Sequence, residues 1–99
     1  MAATLRTIVE SHDATVTIDD LRERFPRFND WWEDGWKWRL ARDPFRDSVR
    51  RTGKIATFYL LRTSGNHASV GIPFSLTFLY AVTDDVVELL HVRVTDIRA

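Results

Sequence analysis

The stretch Ser75–Val94, which reads SLTFLYAVTDDVVELLHVRV, has the strongest strand signal in this chain. Its branched, aliphatic and aromatic residues fall into two runs, Ser75–Val82 and Val86–Val94, and such runs predict β-strands. The residues between them, Thr83-Asp84-Asp85, predict a tight hairpin turn, because aspartate is favoured at turn positions. The C-terminal part of the chain is therefore predicted to form a pair of antiparallel strands.

Three further elements are predicted before this hairpin. The stretch Ile55–Arg62 (IATFYLLR) predicts a strand, and Leu5–Glu10 predicts a short first strand at a sheet edge. Between these strands, Thr17 can cap a helix that spans Ile18–Phe25. This helix is expected to stop before Pro26, because the residue that precedes proline disfavours the helical conformation.

A second helix is predicted from Asn29 or Asp30 to about Arg42, where Asp43-Pro44 ends it. A broad apolar stripe runs along it, formed by Phe28, Trp32, Trp36 and Leu40, with Trp31 and Trp38 beside them. The elements together predict an α+β fold with residues 1–99 in a single domain. An N-terminal strand precedes a two-helix hairpin and a three-stranded antiparallel meander, and the helices pack on one face of the sheet.

The strand patterns and the helix stripe predict one core between the helices and the sheet. The side chains expected to be buried there are Trp32, Trp36, Leu40, Phe58, Leu60, Phe78 and Leu90. Tyr80 is expected to be a core residue as well. On the last strand, Leu90, Val92 and Val94 are expected to face the helices.

The overall composition is that of an ordinary globular domain. The 99 residues are 44% hydrophobic and 28% charged, which excludes a disordered tail. The chain has no cysteine, so disulfides and thiolate metal sites are excluded. No apolar run approaches the roughly 20 residues that cross a bilayer. Residues 1–10 also lack the apolar stretch of a signal peptide, so we expect a cytoplasmic protein.

A formal net charge of zero hides a basic segment. The stretch Pro44–Lys54 has no apolar period and is predicted to be a connector. Its basic residues are Arg46, Arg50, Arg51 and Lys54. They can contact the phosphates of a nucleic acid, the acidic tail of a protein partner, or the acidic residues of the two helices.

Three segments carry a resemblance to a known family. They are the helix end Trp38–Pro44 (WRLARDP), the hairpin Leu79–Leu90 (LYAVTDDVVELL) and its continuation His91-Val92-Arg93. Over about residues 28–95 the chain resembles the RelE/ParE superfamily of bacterial toxin–antitoxin modules. The resemblance implies an intracellular toxin that a cognate antitoxin neutralises. RelE-like members cleave mRNA in the ribosomal A site, whereas ParE-like members inhibit DNA gyrase.

For the RNA-cleaving members, the resemblance implies a metal-independent reaction on the concave face of the sheet. Basic side chains there orient the scissile phosphate, and a tyrosine or histidine assists by moving a proton. This chain departs from the pattern at two places: Thr77 stands where these nucleases usually carry arginine, and Thr95-Asp96-Ile97-Arg98 replaces a basic ending. Thr77 favours the alternative of a non-enzymatic gyrase inhibitor, whereas His91-Val92-Arg93 favours the nuclease. A degenerate, non-toxic binding module is a further alternative.

The candidate catalytic residues are His91, Arg93, His67 and Arg62. His91 and Arg93 are two positions apart on a strand, so both side chains leave the same face of the sheet. Arg62 closes the strand that precedes the predicted loop Thr63–Gly71, which carries His67. A histidine beside an arginine can bind a phosphate and transfer a proton near neutral pH, although a solvated polar face has the same pattern. The histidines lack metal-ligand spacing, so neither a metal nor another cofactor is expected.

The width of the apolar stripe predicts a surface for a protein partner. One small sheet cannot cover all of it, so the edge formed by Trp31 and Trp38 is expected to stay partly exposed. Together with the basic connector, this edge is predicted to bind an apolar, acidic and helical segment of the cognate antitoxin. The predicted substrate is mRNA on the ribosome, and DNA gyrase is the alternative target.

Overall fold

One mixed β-sheet forms the frame of the protein, and the helices lie on one of its faces. The computed structural model describes residues 5–63 and 74–96. The elements in chain order are β1 (Thr7–Glu10), α1 (His12–Arg24), α2 (Phe28–Trp31), a π-helical turn (Trp32–Trp36), α3 (Lys37–Arg42), β2 (Val49–Thr52), β3 (Thr57–Arg62), β4 (Phe74–Val82) and β5 (Val86–Asp96). This order confirms the predicted α+β fold. None of the described helices is long and apolar enough to span a membrane.

The sheet has five strands in the order β1-β5-β4-β3-β2. Strands β2 to β5 form an antiparallel meander, and β1 pairs in parallel with β5. The predicted three-stranded meander is correct for β3 to β5, but each edge carries one more strand. The edge strand β2 lies within Pro44–Lys54, where the sequence predicts only a connector. All four residues of β2 are exposed and two are arginines, so it lacks the apolar alternation that marks a strand.

Helix α1 begins earlier than predicted because Ser11, and not Thr17, is its N-cap. The Ser11 hydroxyl accepts a hydrogen bond from the Ala14 amide at 3.1 Å and donates one to the Leu90 carbonyl at 2.7 Å. The helix therefore starts directly after β1 and is held against β5 from its first turn. Its buried side chains are Ala14, Ile18 and Leu21. The predicted end before Pro26 is confirmed.

The second helical segment spans residues 28–42, so it starts one or two residues before the predicted Asn29 or Asp30 and ends at Arg42 as predicted. It contains a π-helical turn at Trp32–Trp36. A spacing of four residues is longer than one α-helical turn of about 3.6 residues, so successive apolar side chains would be rotated progressively around a regular helix. The wider π turn absorbs this rotation. As a result Phe28, Trp32 and Leu40 are all fully buried on the side that faces the sheet.

The core lies between the helices and one face of the sheet. Its buried apolar side chains are Ala14, Ile18, Leu21, Phe28, Trp32, Leu40, Leu61, Phe74, Leu76, Phe78, Tyr80, Val87, Leu89 and Val92. The predictions for Trp32, Leu40, Phe78 and Tyr80 are confirmed. Trp36 is only half-buried, although it packs on the core with its ring centroid 6.3 Å from that of Phe78.

The core prediction is wrong for Phe58 and Leu60, which are half-buried on the opposite face of the sheet. In β3 it is Tyr59 and Leu61 that face the helices, and Tyr59 pairs with the buried Tyr80. Both alternating sets of β3 residues are hydrophobic. For this reason the sequence does not reveal which set is turned towards the helices.

A β-bulge changes the alternation of β5 at Leu90. The register between β4 and β5 shifts at this point, so Leu90 is an extra residue without a partner of its own on β4. Of the three residues expected to face the helices, Val92 is buried, Leu90 is half-buried and Val94 is 40% exposed. The bulge places Leu89 in the core in the position expected for Leu90.

The burial of Tyr80 leads to a testable pH effect. Its hydroxyl donates a hydrogen bond to the Pro44 carbonyl at 2.5 Å, and burial raises the pKa of Tyr80 to about 12 from an ordinary value of 10.0. The contribution of Tyr80 to stability should therefore be complete below pH 10.0 and be lost as the pH rises towards about 12. In a Tyr59→Phe variant Tyr80 is the remaining tyrosine. Titration of its ultraviolet absorbance should show phenolate only near pH 12. Phenolate that forms in the folded protein near pH 10.0, the ordinary pKa of tyrosine, would contradict this prediction.

Candidate functional site

The face of the sheet opposite the core gathers three of the predicted catalytic residues. Among the described residues no helix packs on this side, which we call the open face. Directly paired residues of antiparallel strands point to the same side of a sheet. Arg62 of β3 pairs with Thr77 of β4, and Thr77 pairs with Arg93 of β5. Arg62, Thr77 and Arg93 therefore form a row across three neighbouring strands, which we call the arginine row.

The two arginines of this row are close enough to bind one anion together. Neighbouring strands lie about 4.8 Å apart, so the Cα atoms of Arg62 and Arg93 are separated by about 10 Å. Both side chains are exposed, and neither forms an ion pair with the described part of the chain. Arg62 Nε donates a long hydrogen bond of 3.4 Å to Ser75 Oγ, on the same face. Guanidinium groups form paired hydrogen bonds to phosphate oxygens, so the row can hold a phosphate above Thr77.

His91 lies on the open face beside the arginine row, two residues before Arg93 on β5 and opposite Leu79. Its Nδ1 atom is hydrogen-bonded to Oδ2 of Asp13 in the first turn of α1. When the neutral ring donates from Nδ1, its Nε2 atom remains as a hydrogen-bond acceptor. The side chain of His91 is 51% exposed, so a bound molecule can reach it. The Asp13–His91 pair is therefore suited to accept a proton next to a phosphate.

Apolar and basic side chains continue the open face beyond the arginine row. The next row consists of Val49, Leu60, Leu79 and His91. In the row after it, Phe58 pairs with Arg51 of β2. The sequence predicts Phe58 in the core and no role for Asp13, which is separated from His91 by 78 positions. The only sequence signal for Phe58 is its distance of four residues from Arg62, which puts both on one face of a strand.

The remaining predicted site residues do not form one surface. His67 lies outside the described residues, and its position relative to Arg62 stays a prediction. Arg50 and Arg51 leave opposite faces of β2, because Arg50 pairs with Tyr59 on the helix side and Arg51 pairs with Phe58 on the open face. Arg46 and Lys54 are exposed in the turns that flank β2, where Arg46 Nε lies 3.8 Å from Asp47 Oδ2.

The two tryptophans of the predicted partner surface differ in their exposure. Trp38 is 53% exposed and lines an open groove of about 270 Å³ between β1 and α3. The other residues that line this groove are Leu5, Arg6, Ile8, Glu33, Lys37 and Ala41. Trp31 is half-buried and packs on the core, with its ring centroid 5.8 Å from that of Phe28. An apolar surface for a partner is therefore present at Trp38 and its groove.

No group of three histidine or acidic side chains that could hold a metal ion occurs in residues 5–63 and 74–96. Comparisons with known protein families, with curated proteins and with solved structures give no match. The resemblance to the RelE/ParE superfamily therefore stays a prediction.

Proposed function

We propose that this protein is the toxin of a type II toxin–antitoxin module and that it cleaves RNA on the open face of its sheet. The observation that carries this proposal is the arginine row beside the Asp13–His91 pair. Cleavage of a phosphodiester without a metal requires cations where negative charge develops and a group that moves a proton near neutral pH. The two arginines and His91 are these groups.

The proposed reaction uses the 2′-hydroxyl of the RNA as its nucleophile. The 2′ oxygen forms a bond to the adjacent phosphorus, and the bond from phosphorus to the 5′ oxygen of the next nucleotide breaks. His91 Nε2 accepts the proton of the 2′-hydroxyl, and the departing 5′ oxygen takes a proton from water. The hydroxide that this leaves is neutralised by the proton that His91 releases. Arg62 and Arg93 stabilise the extra negative charge on the phosphate oxygens in the transition state. The products are a 2′,3′-cyclic phosphate and a free 5′-hydroxyl.

Thr77 fits this proposal although superfamily nucleases usually carry arginine at its position. Its partners on both neighbouring strands are arginines, Arg62 and Arg93. Their side chains are long enough to reach over a threonine, whose own side chain is short. Cationic groups from the two flanking strands therefore replace the single arginine that the resemblance would place on β4.

Expression of the protein in bacterial cells, with and without its antitoxin, tests this function against gyrase inhibition. We expect incorporation of labelled amino acids to fall before incorporation of labelled thymidine, together with new 5′ ends in mRNA. The Arg62→Ala, Arg93→Ala double variant is the control and should be harmless. Early arrest of replication with intact mRNA would instead support the gyrase inhibitor, and growth unaffected by the parent protein would support a non-toxic binding module.

The groove at Trp38 is the surface proposed for the antitoxin. A Trp38→Ala variant should weaken the complex with the product of the neighbouring antitoxin gene by more than about 1 kcal/mol, because an exposed aromatic that fills a partner's pocket carries a large share of the binding energy. Binding is measured by calorimetry. Val16→Ala is a matched control, because Val16 is 54% exposed on α1, on another helix of the same layer. Equal affinities of the Trp38→Ala and Val16→Ala variants would exclude this groove.

A further inference from the structure

Phe58 occupies an unusual place for an aromatic residue of this protein. It lies on the open face and not in the core, and it pairs with Arg51 on the neighbouring edge strand β2. Its sequence neighbour Tyr59 stacks on Tyr80 at 5.9 Å and meets Phe45 at 5.2 Å on the helix side. Phe58 has no comparable contact with another aromatic ring of the described chain. Its side chain is half-buried, so part of it is open to a ligand.

The charge of the open face indicates what that ligand is. The described arginines on this face are Arg51, Arg62 and Arg93, and its acidic groups are Glu88, which pairs with Ala81, and Asp13, which is bonded to His91. The chain as a whole has a formal net charge of zero. The excess of positive charge is therefore local, and it lies on both sides of the apolar patch of Leu60, Leu79 and Phe58. A polyanion that also has apolar planar groups matches this surface, and single-stranded nucleic acid is such a molecule.

We propose that Phe58 and Arg51 form a second subsite that binds an unpaired nucleotide next to the cleavage site. A nucleobase stacks on the Phe58 ring, and Arg51 contacts the backbone phosphate of the same segment. This inference rests on the proposed function, and it makes single-stranded RNA the substrate class. The bases of a duplex are stacked on one another and are unable to reach Phe58.

The dimensions of the sheet agree with this arrangement. Phe58 and Arg62 are four residues apart on β3, a distance of about 13 Å along the strand. A short extended segment of RNA can therefore place one phosphate in the arginine row and one base on Phe58 at the same time. The intervening Leu60 and Leu79 carry no side-chain hydrogen-bonding groups, so they support the strand without reading base edges. Base identity should accordingly have little effect at this subsite.

Binding of an uncleavable ligand tests the subsite without using activity. The probe is a fluorescent 2′-O-methyl RNA of about eight nucleotides, in which the attacking hydroxyl is blocked. A Phe58→Leu variant should bind it about tenfold more weakly by fluorescence anisotropy, whereas Phe58→Tyr should bind as the parent does. The control is Phe45→Leu, since Phe45 is an exposed aromatic residue on the other side of the sheet.

The charge of Arg51 is tested with its neighbour as the control. An Arg51→Gln variant should lower both the affinity and, by about one, the slope of log affinity against log salt concentration. Arg50→Gln removes the same charge from the same strand but from the opposite face, and it should leave both quantities unchanged. A duplex of the same sequence should bind the parent protein more weakly than the single strand does.

The outcomes separate this inference from the proposed function. If Arg62→Gln and Arg93→Gln weaken binding but Phe58→Leu does not, the subsite is overturned and the proposed function stands. If the parent protein does not bind the single strand at all, the proposed function fails and the subsite fails with it. Equal losses for Phe58→Leu and Phe45→Leu, or a preference for duplex, would also overturn the subsite. If Phe58→Leu lowers the melting temperature strongly, two other variants decide. The subsite requires Phe58→Tyr, which keeps the ring, to bind as the parent does, and Arg51→Gln, which removes the phosphate contact, to bind more weakly.

Discussion

Replacement of Trp32 by alanine is expected to lower the free energy of unfolding by about 3–5 kcal/mol. Trp32 is fully buried, and its ring lies against that of Phe78 with centroids 5.4 Å apart. It is the first residue of the π-helical turn. Because its large side chain is buried between the second helical segment and the sheet, its removal would leave a large cavity there. A domain of this size has a total stability of about 5–15 kcal/mol, so the change removes a large part of it. Unfolding by urea, followed by tryptophan fluorescence and circular dichroism, measures the effect.

A second tryptophan on the same helical segment provides the control. Trp38 is 53% exposed, and its replacement by alanine should change the free energy of unfolding by less than about 1 kcal/mol. The two losses of unfolding free energy should differ because the π turn sets the helix phase, that is, which side chains of the helical segment face the sheet. Similar losses for Trp32→Ala and Trp38→Ala would mean that this phase is wrong.

Removal of either cation of the arginine row is expected to lower RNA cleavage by about 10²-fold or more. His91→Ala should have an effect of similar size, because a positioned general base contributes about 10²–10⁴-fold. Arg62, Arg93 and His91 are exposed, so these variants should retain nearly all of the parent's stability. Single-turnover cleavage of mRNA by the purified protein, measured with free mRNA and with mRNA on ribosomes, gives the first quantity, and thermal unfolding gives the second.

The control for this prediction is Arg50→Ala. Arg50 is as exposed as the arginines of the row, but it pairs with Tyr59 and lies on the helix side of the sheet. The variant should cleave RNA at the rate of the parent. Cleavage that survives the loss of both Arg62 and Arg93, or that falls equally in Arg50→Ala, would show that the reaction takes place elsewhere on the protein.

The elements with strong local patterns could be predicted from the sequence. Branched and aromatic runs on both sides of Thr83-Asp84-Asp85 define the β4–β5 hairpin, and Asp43-Pro44 ends the helical segment. The edge strand β2 could not be predicted, because its Val-Arg-Arg-Thr sequence is exposed on both faces and, among the described strands, pairs with β3 alone. The start of α1 has a local signal, since Ser11 is a favoured N-cap residue, but Thr17 offers the same signal six residues later. The bond from Ser11 to β5, which fixes the earlier start, lies outside any local pattern.

One part of the candidate site could be predicted from the alternation of side chains between the two faces of a strand. His91 and Arg93 share a face because they are two residues apart. Arg62 joins them only through the register of two strand pairs, and Asp13 reaches His91 from a different layer of the fold. The apolar patch that includes Phe58 can be predicted only if it is known which face of β3 packs against the helices. The sequence does not show this, because both alternating sets of β3 residues are hydrophobic.

RNA is expected to bind to the open face across the arginine row. Nuclear magnetic resonance of the uniformly ¹⁵N-labelled protein, titrated with the uncleavable 2′-O-methyl RNA, tests this claim. We expect the largest chemical-shift changes at the Nε–H groups of Arg62 and Arg93 and at the backbone amide of Thr77, with unchanged signals from the indole N–H of Trp38. Changes confined to Trp38 and the groove around it, with no response from Arg62 and Arg93, would contradict the claim.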